Sequence, residues 1–186
     1  MILDRYLLLY KYGGVYLDTD VILLRPLPLH TNYAGVESWD LHHIGAGVIK
    51  FQQHHQIILS ILNTLAVNFS GSEWGANGPL VLEAELRKVC ENDGGGWWSG
   101  GGDVDGWRCG DVTIFRQEYF YAIQWKYWET LFLPEHRDNI IQEMRTSYAV
   151  HLWGHKSGGV RVDRGSAVGH IATHHCPAAA PTLINW

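Results

Sequence analysis

The spacing of apolar and polar residues predicts helices and short strands in alternation. Residues 2–12 carry apolar side chains on most faces and no helix breaker, so we predict a buried helix that Gly13-Gly14 ends. Helical spacing predicts further helices at residues 56–69, 125–132, 140–144 and 166–175. Short apolar runs bounded by turn residues predict strands at residues 15–17, 33–36, 47–51, 112–115 and 148–153. The pattern therefore indicates an α/β fold.

Two segments of the middle of the chain complete this prediction. Gly78-Pro79 places proline early in the first turn of another helix, whose buried side we assign to Leu80, Leu82, Leu86 and Val89. Residues 91–110 are rich in Gly, Asp and Trp, which predicts a long surface loop. Neither a repeat nor an interdomain linker is evident, so we predict one domain over residues 1–186.

Composition narrows the class of protein. Apolar residues make up 46% of the chain and charged residues 18%, which is typical of a folded globular protein. The formal net charge is −5 and no basic stripe is present, so we expect no nucleic-acid partner. No apolar run approaches the roughly 18 residues that a membrane span needs. The nine tryptophans and nine tyrosines include rings that could cover the apolar face of a sugar, although we expect most in the core.

One acidic pair is the main candidate for chemistry. Asp18 and Asp20 follow the strand predicted at residues 15–17, and residues two apart in a strand point to the same side. Two carboxylates that project together repel each other unless a cation lies between them, and hard oxygen ligands suit magnesium or manganese. Gly13-Gly14 permits a close approach of the backbone, and the buried strand would hold the pair rigidly. The alternative is two solvated loop carboxylates without a ligand.

The sequence around this pair resembles a known enzyme family. Residues 11–27, with the string Lys-Tyr-Gly-Gly-Val-Tyr-Leu-Asp-Thr-Asp, are similar to the DXD core of the alpha-1,4-glycosyltransferases, the family of the globotriaosylceramide synthases. The family's usual string has Ile where this chain has Val15. Further blocks that resemble the family in the same order lie at residues 74–79, 90 and 109, 120–132, 148–157 and 175–177. The likeness thus extends along nearly the whole chain.

This resemblance implies a fold and a reaction. The family has a GT-A fold, in which a nucleotide-binding α/β sheet carries the DXD motif at a strand end. Its members transfer galactose, N-acetylgalactosamine or N-acetylglucosamine from a UDP-sugar to a glycolipid or glycoprotein glycan in alpha-1,4 linkage, with retention and usually with manganese (or magnesium). They are type II Golgi membrane proteins with a lumenal catalytic domain. By this resemblance, residues 1–70 form the DXD-containing region and residues 71–186 the C-terminal region of a catalytic domain.

The resemblance also assigns roles to single residues. Asp18 and Asp20 are expected to hold the metal and the donor, with Asp20 the direct ligand. His151 would complete the metal site, and the alternative is a core histidine hydrogen-bonded beside Trp153. Lys156 would neutralise diphosphate charge, and the alternative is a solvated surface lysine. The donor-binding set is Arg5, Tyr16, Asp18, Asp20 and Lys156.

Three further assignments follow from the same family blocks and from one motif. Trp74, Asn77, Gly78 and Pro79 are expected to shape the donor or acceptor pocket, or alternatively a tight turn before the next helix. Cys90 and Cys109 stand where the family has a disulfide pair, which leaves Cys176 over. Asn68-Phe69-Ser70 is an N-glycosylation sequon if the protein enters the secretory pathway.

The N-terminal part departs from the family. Many enzymes with this core carry Ser-Asp-x-x-Arg before the DXD motif; Arg5 matches, but Met1 and Ile2 replace the serine and the aspartate. The nucleotide-binding half also normally begins before this helix. We therefore expect a truncated chain that lacks the first strands of the fold, the uridine pocket and an N-terminal membrane anchor. An inactive remnant that binds nucleotide or glycan is the alternative function.

Two other chemistries deserve comparison. Asp18 could be the nucleophile of an aspartyl-phosphate phosphatase, but that motif favours Thr or Val where Ile22 stands. His174-His175-Cys176 hints at zinc without a second ligand pair. No residue stands out as a covalent nucleophile, so the sequence leaves front-side attack and double displacement both open.

Overall fold

A computed structural model describes residues 2–40, 43–73, 75–92 and 106–183 of this chain, with only the backbone for Ile2 and Leu183. The chain forms two compact units. The first unit comprises Met1–Leu17 and Pro28–Arg116, and the second comprises Asp18–Leu27 and Gln117–Trp186. Both contain helices and strands, so the predicted α/β class is confirmed, whereas the predicted regions 1–70 and 71–186 of a GT-A domain stay a prediction.

The described residues form seven strands and seven α-helices. The strands are β1 (Gly14–Leu17), β2 (Val21–Leu23), β3 (Asn32–Ser38), β4 (His43–Phe51), β5 (Gly106–Cys109), β6 (Val112–Phe115) and β7 (Ala149–His151). The α-helices are α1 (Ile2–Tyr12), α2 (Gln56–Asn68), α3 (Val81–Asn92), α4 (Arg137–Glu143), α5 (Gly154–Ser157), α6 (Ala167–His175) and α7 (Ala180–Leu183).

A five-stranded sheet organises the first unit. Its order is β1-β4-β3-β6-β5, in which β3 and β6 are parallel and the other neighbours antiparallel. Side chains of α1, α2 and α3 pack with those of the sheet to form the core, which includes Tyr6, Ile44, Phe51, Ile58, Ile61, Leu82 and Ile114. Gly13 adopts φ +67°, and a Cβ there would lie 2.5 Å from the backbone N of Gln53. The predicted close backbone approach at Gly13 is therefore present, and it serves packing between α1 and the β4–α2 connection.

Several predicted elements need correction in this unit. The strand predicted as buried at residues 15–17 is only half-buried, because β1 lies at the edge of the sheet with β4 on one side. The loop predicted at residues 91–110 is shorter, since α3 continues to Asn92 and β5 begins at Gly106; residues 93–105 lie outside the described part. Leu80 is 37% exposed because it belongs to a π-type turn, Ala76–Leu80, that precedes α3.

A buried carboxylate joins two helices of the first unit. Glu85 of α3 is 4% exposed and accepts hydrogen bonds from Ser60 Oγ (2.7 Å), Thr64 Oγ1 (3.0 Å) and Lys88 Nζ (2.7 Å). Burial is the largest single influence and raises the pKa of Glu85, but these hydrogen bonds together outweigh it and hold the pKa below its ordinary 4.5. Ionised Glu85 therefore stabilises the packing of α3 on α2.

We expect Glu85→Gln to lower the free energy of unfolding by about 1–2 kcal/mol at pH 7, because one hydrogen-bond acceptor becomes a donor in a buried site. Since the folded pKa lies below the unfolded one, the carboxylate's contribution is complete above about pH 4.5 and is lost as the pH falls through the folded pKa. Urea unfolding from pH 3 to 7 measures this. The exposed Glu91→Gln on the same helix is the control, and an equal loss in both variants would contradict the prediction.

The second unit is built around a short ladder. β2 and β7 pair antiparallel, with Val21 opposite His151 and Leu23 opposite Ala149. The predicted strand at residues 148–153 is therefore shorter, because Trp153 adopts a left-handed φ of +55°. Residues 125–131 form a 3-10 helix that is broken at Tyr127. The helix predicted at residues 166–175 is α6, and a further helix, α7, follows it. No helix among the described residues is long and apolar enough to cross a membrane.

Candidate metal and donor site

The aspartate pair lies in a turn between β1 and β2. Asp18, Thr19 and Asp20 belong to neither strand, and the backbone O of Asp18 accepts a hydrogen bond from Val21 N (3.2 Å). The predicted strand alternation is therefore wrong as the reason for their common direction. The turn nevertheless brings the two carboxylates and His151 together, with one ligand atom of each within 4.8 Å of the others.

Strand pairing places His151 beside the turn. The β2–β7 ladder sets His151 opposite Val21, and Leu152 N continues it by donating to Asp20 O (2.8 Å). His151 Nε2 lies 3.6 Å from Asp20 Oδ1 and 3.8 Å from Asp18 Oδ2. Its Nδ1 accepts a hydrogen bond from Trp153 N (3.1 Å), so in the neutral ring Nε2 carries the hydrogen and faces the two carboxylates. The ring thus makes the hydrogen bond beside Trp153, and it would bind a cation through Nε2 as the other tautomer, with its hydrogen on Nδ1.

A backbone amide orients Asp20. Gly154 N, at the start of α5, donates to Asp20 Oδ2 at 2.6 Å. A Cβ at Gly154 would lie only 3.0 Å from that oxygen, so glycine leaves room for the carboxylate. Trp153 holds the preceding turn, because its indole Nε1 donates to Ile123 O (2.9 Å). Sequence reasoning missed Gly154, since no local pattern marks a contact between residues 134 positions apart.

The chemistry of these ligands fits a divalent cation. Asp18 and Asp20 are each 26% exposed and His151 11%, so the three side chains meet at a partly shielded surface. Two carboxylates and one imidazole suit manganese, and magnesium suits the oxygens. Separations of 3.6 and 3.8 Å fit ligands on one ion with bonds of about 2 Å, which would leave positions for phosphate oxygens. The described residues contain no second such group of His, Cys, Asp or Glu, so the zinc hypothesis for residues 174–176 gains no support.

Other predicted donor-site residues have partners within their own units. In the first unit, the guanidinium of Arg5 lies 4.7 Å from the centroid of the Tyr16 ring, and its Nη1 donates to Ala46 O (2.6 Å). In the second unit, Lys156 is exposed, with Nζ 5.6 Å from the centroid of the Trp125 ring. Arg5 and Tyr16 therefore brace β1, which leads directly into Asp18.

The predicted pocket residues form a tight turn. Asn77 is 5% exposed, and its side-chain amide accepts from Ser70 N (2.9 Å) and donates to Ser70 O. Gly78 O accepts from Tyr6 OH (2.7 Å), and Pro79 follows inside the π-type turn. Trp74 lies outside the described residues. These contacts favour the tight-turn interpretation for Asn77 and Gly78.

The remaining predicted sites are a disulfide bond and a glycosylation site. Cys90 and Cys109 form a disulfide bond, which joins the end of α3 to the end of β5, while Cys176 is a free, half-buried thiol. Asn68 ends α2 and is exposed, as an acceptor of N-glycosylation would need to be.

Two family descriptions match the sequence. The "Glycosyltransferase sugar-binding region containing DXD motif" matches residues 3–63, which include Asp18 and Asp20. The "Alpha 1,4-glycosyltransferase conserved region" matches residues 50–183, more than half of the chain and including His151. The chain belongs to the alpha-1,4-glycosyltransferase family. This membership confirms the predicted family and gives no support to the phosphatase hypothesis.

Individual relatives of this family member agree with that result. It is 30% identical to the lactosylceramide 4-alpha-galactosyltransferase of Mus musculus over 176 residues, 94% of this chain and 46% of the mouse protein. It is 28% identical to the alpha-1,4-N-acetylglucosaminyltransferase of Homo sapiens over 184 residues, 97% of this chain and 51% of the human protein. The chain thus spans about half the length of these relatives. No solved structure matches it.

Proposed function

We propose that this family member is a retaining glycosyltransferase of GT-A type. It moves galactose, N-acetylgalactosamine or N-acetylglucosamine from a UDP donor to a glycolipid or glycoprotein glycan in alpha-1,4 linkage, at the lumenal face of Golgi membranes. The family match and the names of the two relatives support the linkage and the sugar class. The observation that carries the proposal is the convergence of His151 on Asp18 and Asp20, the pair that belongs to the DXD family region.

The three converging side chains would hold manganese or magnesium. A bound divalent cation would neutralise charge on the departing UDP diphosphate. The chain's own contribution is orientation: Gly154 N fixes one oxygen of Asp20, and the β2–β7 pairing places His151 beside the aspartate turn. Lys156 would add a mobile positive charge for the diphosphate, because its ammonium group is exposed on α5, the helix that Gly154 begins.

The first unit would contribute to the donor site indirectly. Arg5 and Tyr16 brace β1, so we assign them a positioning role for the aspartate turn that follows. The turn before α3, which contains Asn77, Gly78 and Pro79, would shape part of the pocket surface. This agrees with the pocket role predicted for this family block. Trp74 keeps its predicted role in the same block.

Donor binding to the full 186-residue chain tests the proposal. Circular dichroism first establishes folding, and calorimetry then measures UDP-galactose, UDP-N-acetylgalactosamine and UDP-N-acetylglucosamine with and without Mn²⁺. We expect binding that requires Mn²⁺ and that ranks the three sugars. Transfer of the preferred sugar to lactose, with the linkage read by NMR, then identifies the reaction. A folded chain that binds no donor in the presence of Mn²⁺ would contradict the proposed activity for this chain.

A further inference from the structure

A second concave site lies in the second unit, formed by residues outside the metal cluster. The cavity has a volume of about 400 Å³ and is bounded by residues 122–124, the 3-10 helix Trp125–Leu131 and α4. Its polar lining comes from Gln117, Gln124, Tyr127, Thr130, His136, Asn139 and Glu143, and Ile123 and Ile140 supply apolar surface. A volume of this size falls in the range of about 300–1,000 Å³ that is usual for small-ligand sites.

The lining chemistry favours a neutral sugar. Side-chain amides and hydroxyls both donate and accept hydrogen bonds, as each sugar hydroxyl does, and a carboxylate accepts from two hydroxyls at once. The Tyr127 ring is 57% exposed and offers an aromatic face for a pyranose. No Lys or Arg is among the described residues that line the cavity. A nucleotide diphosphate would therefore find only His136 as a group that can carry positive charge among these lining residues, whereas an uncharged glycan needs no cation.

Part of this lining is already held in position. Gln117 Nε2 donates to Tyr121 O (3.2 Å), and Gln124 Nε2 donates to Gln117 Oε1 (3.5 Å). Asn139 and Glu143 are four residues apart on α4, so their side chains share one helix face. Glu143 is exposed as a residue, yet burial of its carboxyl group raises its pKa. The cavity thus presents the side-chain amides of Gln117, Gln124 and Asn139 and the carboxyl group of Glu143.

The segment that forms part of the cavity wall also contacts residues that support the metal cluster. Ile123 lines the cavity, and its backbone O accepts the indole hydrogen of Trp153 (2.9 Å). Tyr121, two residues earlier, packs its ring 5.7 Å from that of His151 and 6.0 Å from that of Trp153. A ligand in the cavity would therefore sit against the same segment that supports His151 and Gly154.

We propose that this cavity binds the terminal sugar of a neutral acceptor glycan. This inference rests on the proposed function, because a glycosyltransferase needs an acceptor site beside its donor site. It locates that site on residues 117–143 of the second unit, and it names Asn139, Glu143 and Gln124 as the groups that recognise acceptor hydroxyls.

Lactose and N-acetyllactosamine, titrated into the full chain without metal or UDP, test the inference. Saturation-transfer NMR reports the contact and calorimetry the affinity. We expect Asn139→Ala and Glu143→Gln each to weaken binding at least tenfold. Gln142→Ala, an exposed neighbour on α4 outside the lining, should leave it unchanged. Circular dichroism shows whether each variant keeps its fold, and Gln124→Ala replaces any α4 variant that does not.

The outcomes separate this inference from the proposed function. Binding of either disaccharide that Asn139→Ala, Glu143→Gln or Gln124→Ala weakens supports the acceptor site, even if the chain binds no UDP-sugar. A folded chain that binds neither disaccharide overturns it, even where Mn²⁺-dependent donor binding is found. Equal binding by the wild type and the folded lining variants also overturns it, as does UDP binding that Asn139→Ala weakens and Asp20→Asn leaves intact.

Discussion

Asp20→Asn is expected to lower the affinity for UDP in the presence of Mn²⁺ at least about 100-fold. Asp20 uses both carboxylate oxygens, since Oδ2 accepts from Gly154 N (2.6 Å) and Oδ1 faces His151 Nε2 (3.6 Å). Asparagine has one side-chain oxygen. If that oxygen stays on Gly154, an NH₂ group faces the cation; if the amide is flipped, two donors oppose each other at Gly154. Either orientation also removes the negative charge.

Calorimetry with Mn²⁺ alone and then with UDP measures this loss in two steps. Asp138→Asn makes the same chemical change on the exposed surface of α4, where Asp138 forms a surface ion pair with the exposed Arg137. It should bind Mn²⁺ and UDP as the wild type does. Affinity of Asp20→Asn within threefold of the wild type would show that Asp20 does not hold the cation.

The variant Gly154→Ala changes the position of the Asp20 carboxylate but keeps its charge. In Gly154→Ala the new methyl group would lie 3.0 Å from Asp20 Oδ2 and 3.1 Å from Asp20 Cβ, so the carboxylate must move by a few tenths of an ångström. We expect roughly tenfold weaker Mn²⁺ binding, between the wild type and Asp20→Asn. Gly159→Ala is the matched control because a Cβ there meets no atom within 4 Å. Equal affinities in the two alanine variants would contradict a positioning role for Gly154.

Local patterns predicted α1 and α2 well, because the periodicity of a helix depends on residues that are close in sequence. The boundaries of α1 and α2 differ little from the predicted 2–12 and 56–69. Properties that depend on residues distant in sequence were harder to predict. The strand at residues 15–17 was predicted as buried from its apolar side chains, but burial depends on where β1 falls in the sheet order, and it falls at the edge.

The site illustrates the same limit. The sequence named Asp18, Asp20 and His151, through the family resemblance, but their convergence arises from a turn and from the β2–β7 register rather than from alternation along one strand. Gly154 and Trp153 carried no local signal for their part in it. Their roles come from hydrogen bonds to Asp20 and Ile123, which only the folded chain brings near.

Removal of the Cys90–Cys109 bond is expected to have the largest effect on stability. Both half-cystines are buried, at 3% and 1% exposure, and the bond closes a loop between residues 19 positions apart. A loop of that length corresponds to about 3 kcal/mol of chain entropy withheld from the unfolded state. We therefore expect the double variant Cys90→Ala/Cys109→Ala to lose about 3 kcal/mol of unfolding free energy in the first unit.

Hydrogen exchange read by mass spectrometry assigns this loss to a unit, and urea unfolding gives its size. Cys176→Ala removes a free thiol from the second unit and should leave the first unit unchanged. Dithiothreitol should destabilise the wild type by a similar amount and the double variant not at all, because only the wild type has the bond to lose. A loss below about 1 kcal/mol, or a loss in the second unit alone, would mean that α3 and β5 hold together without the disulfide.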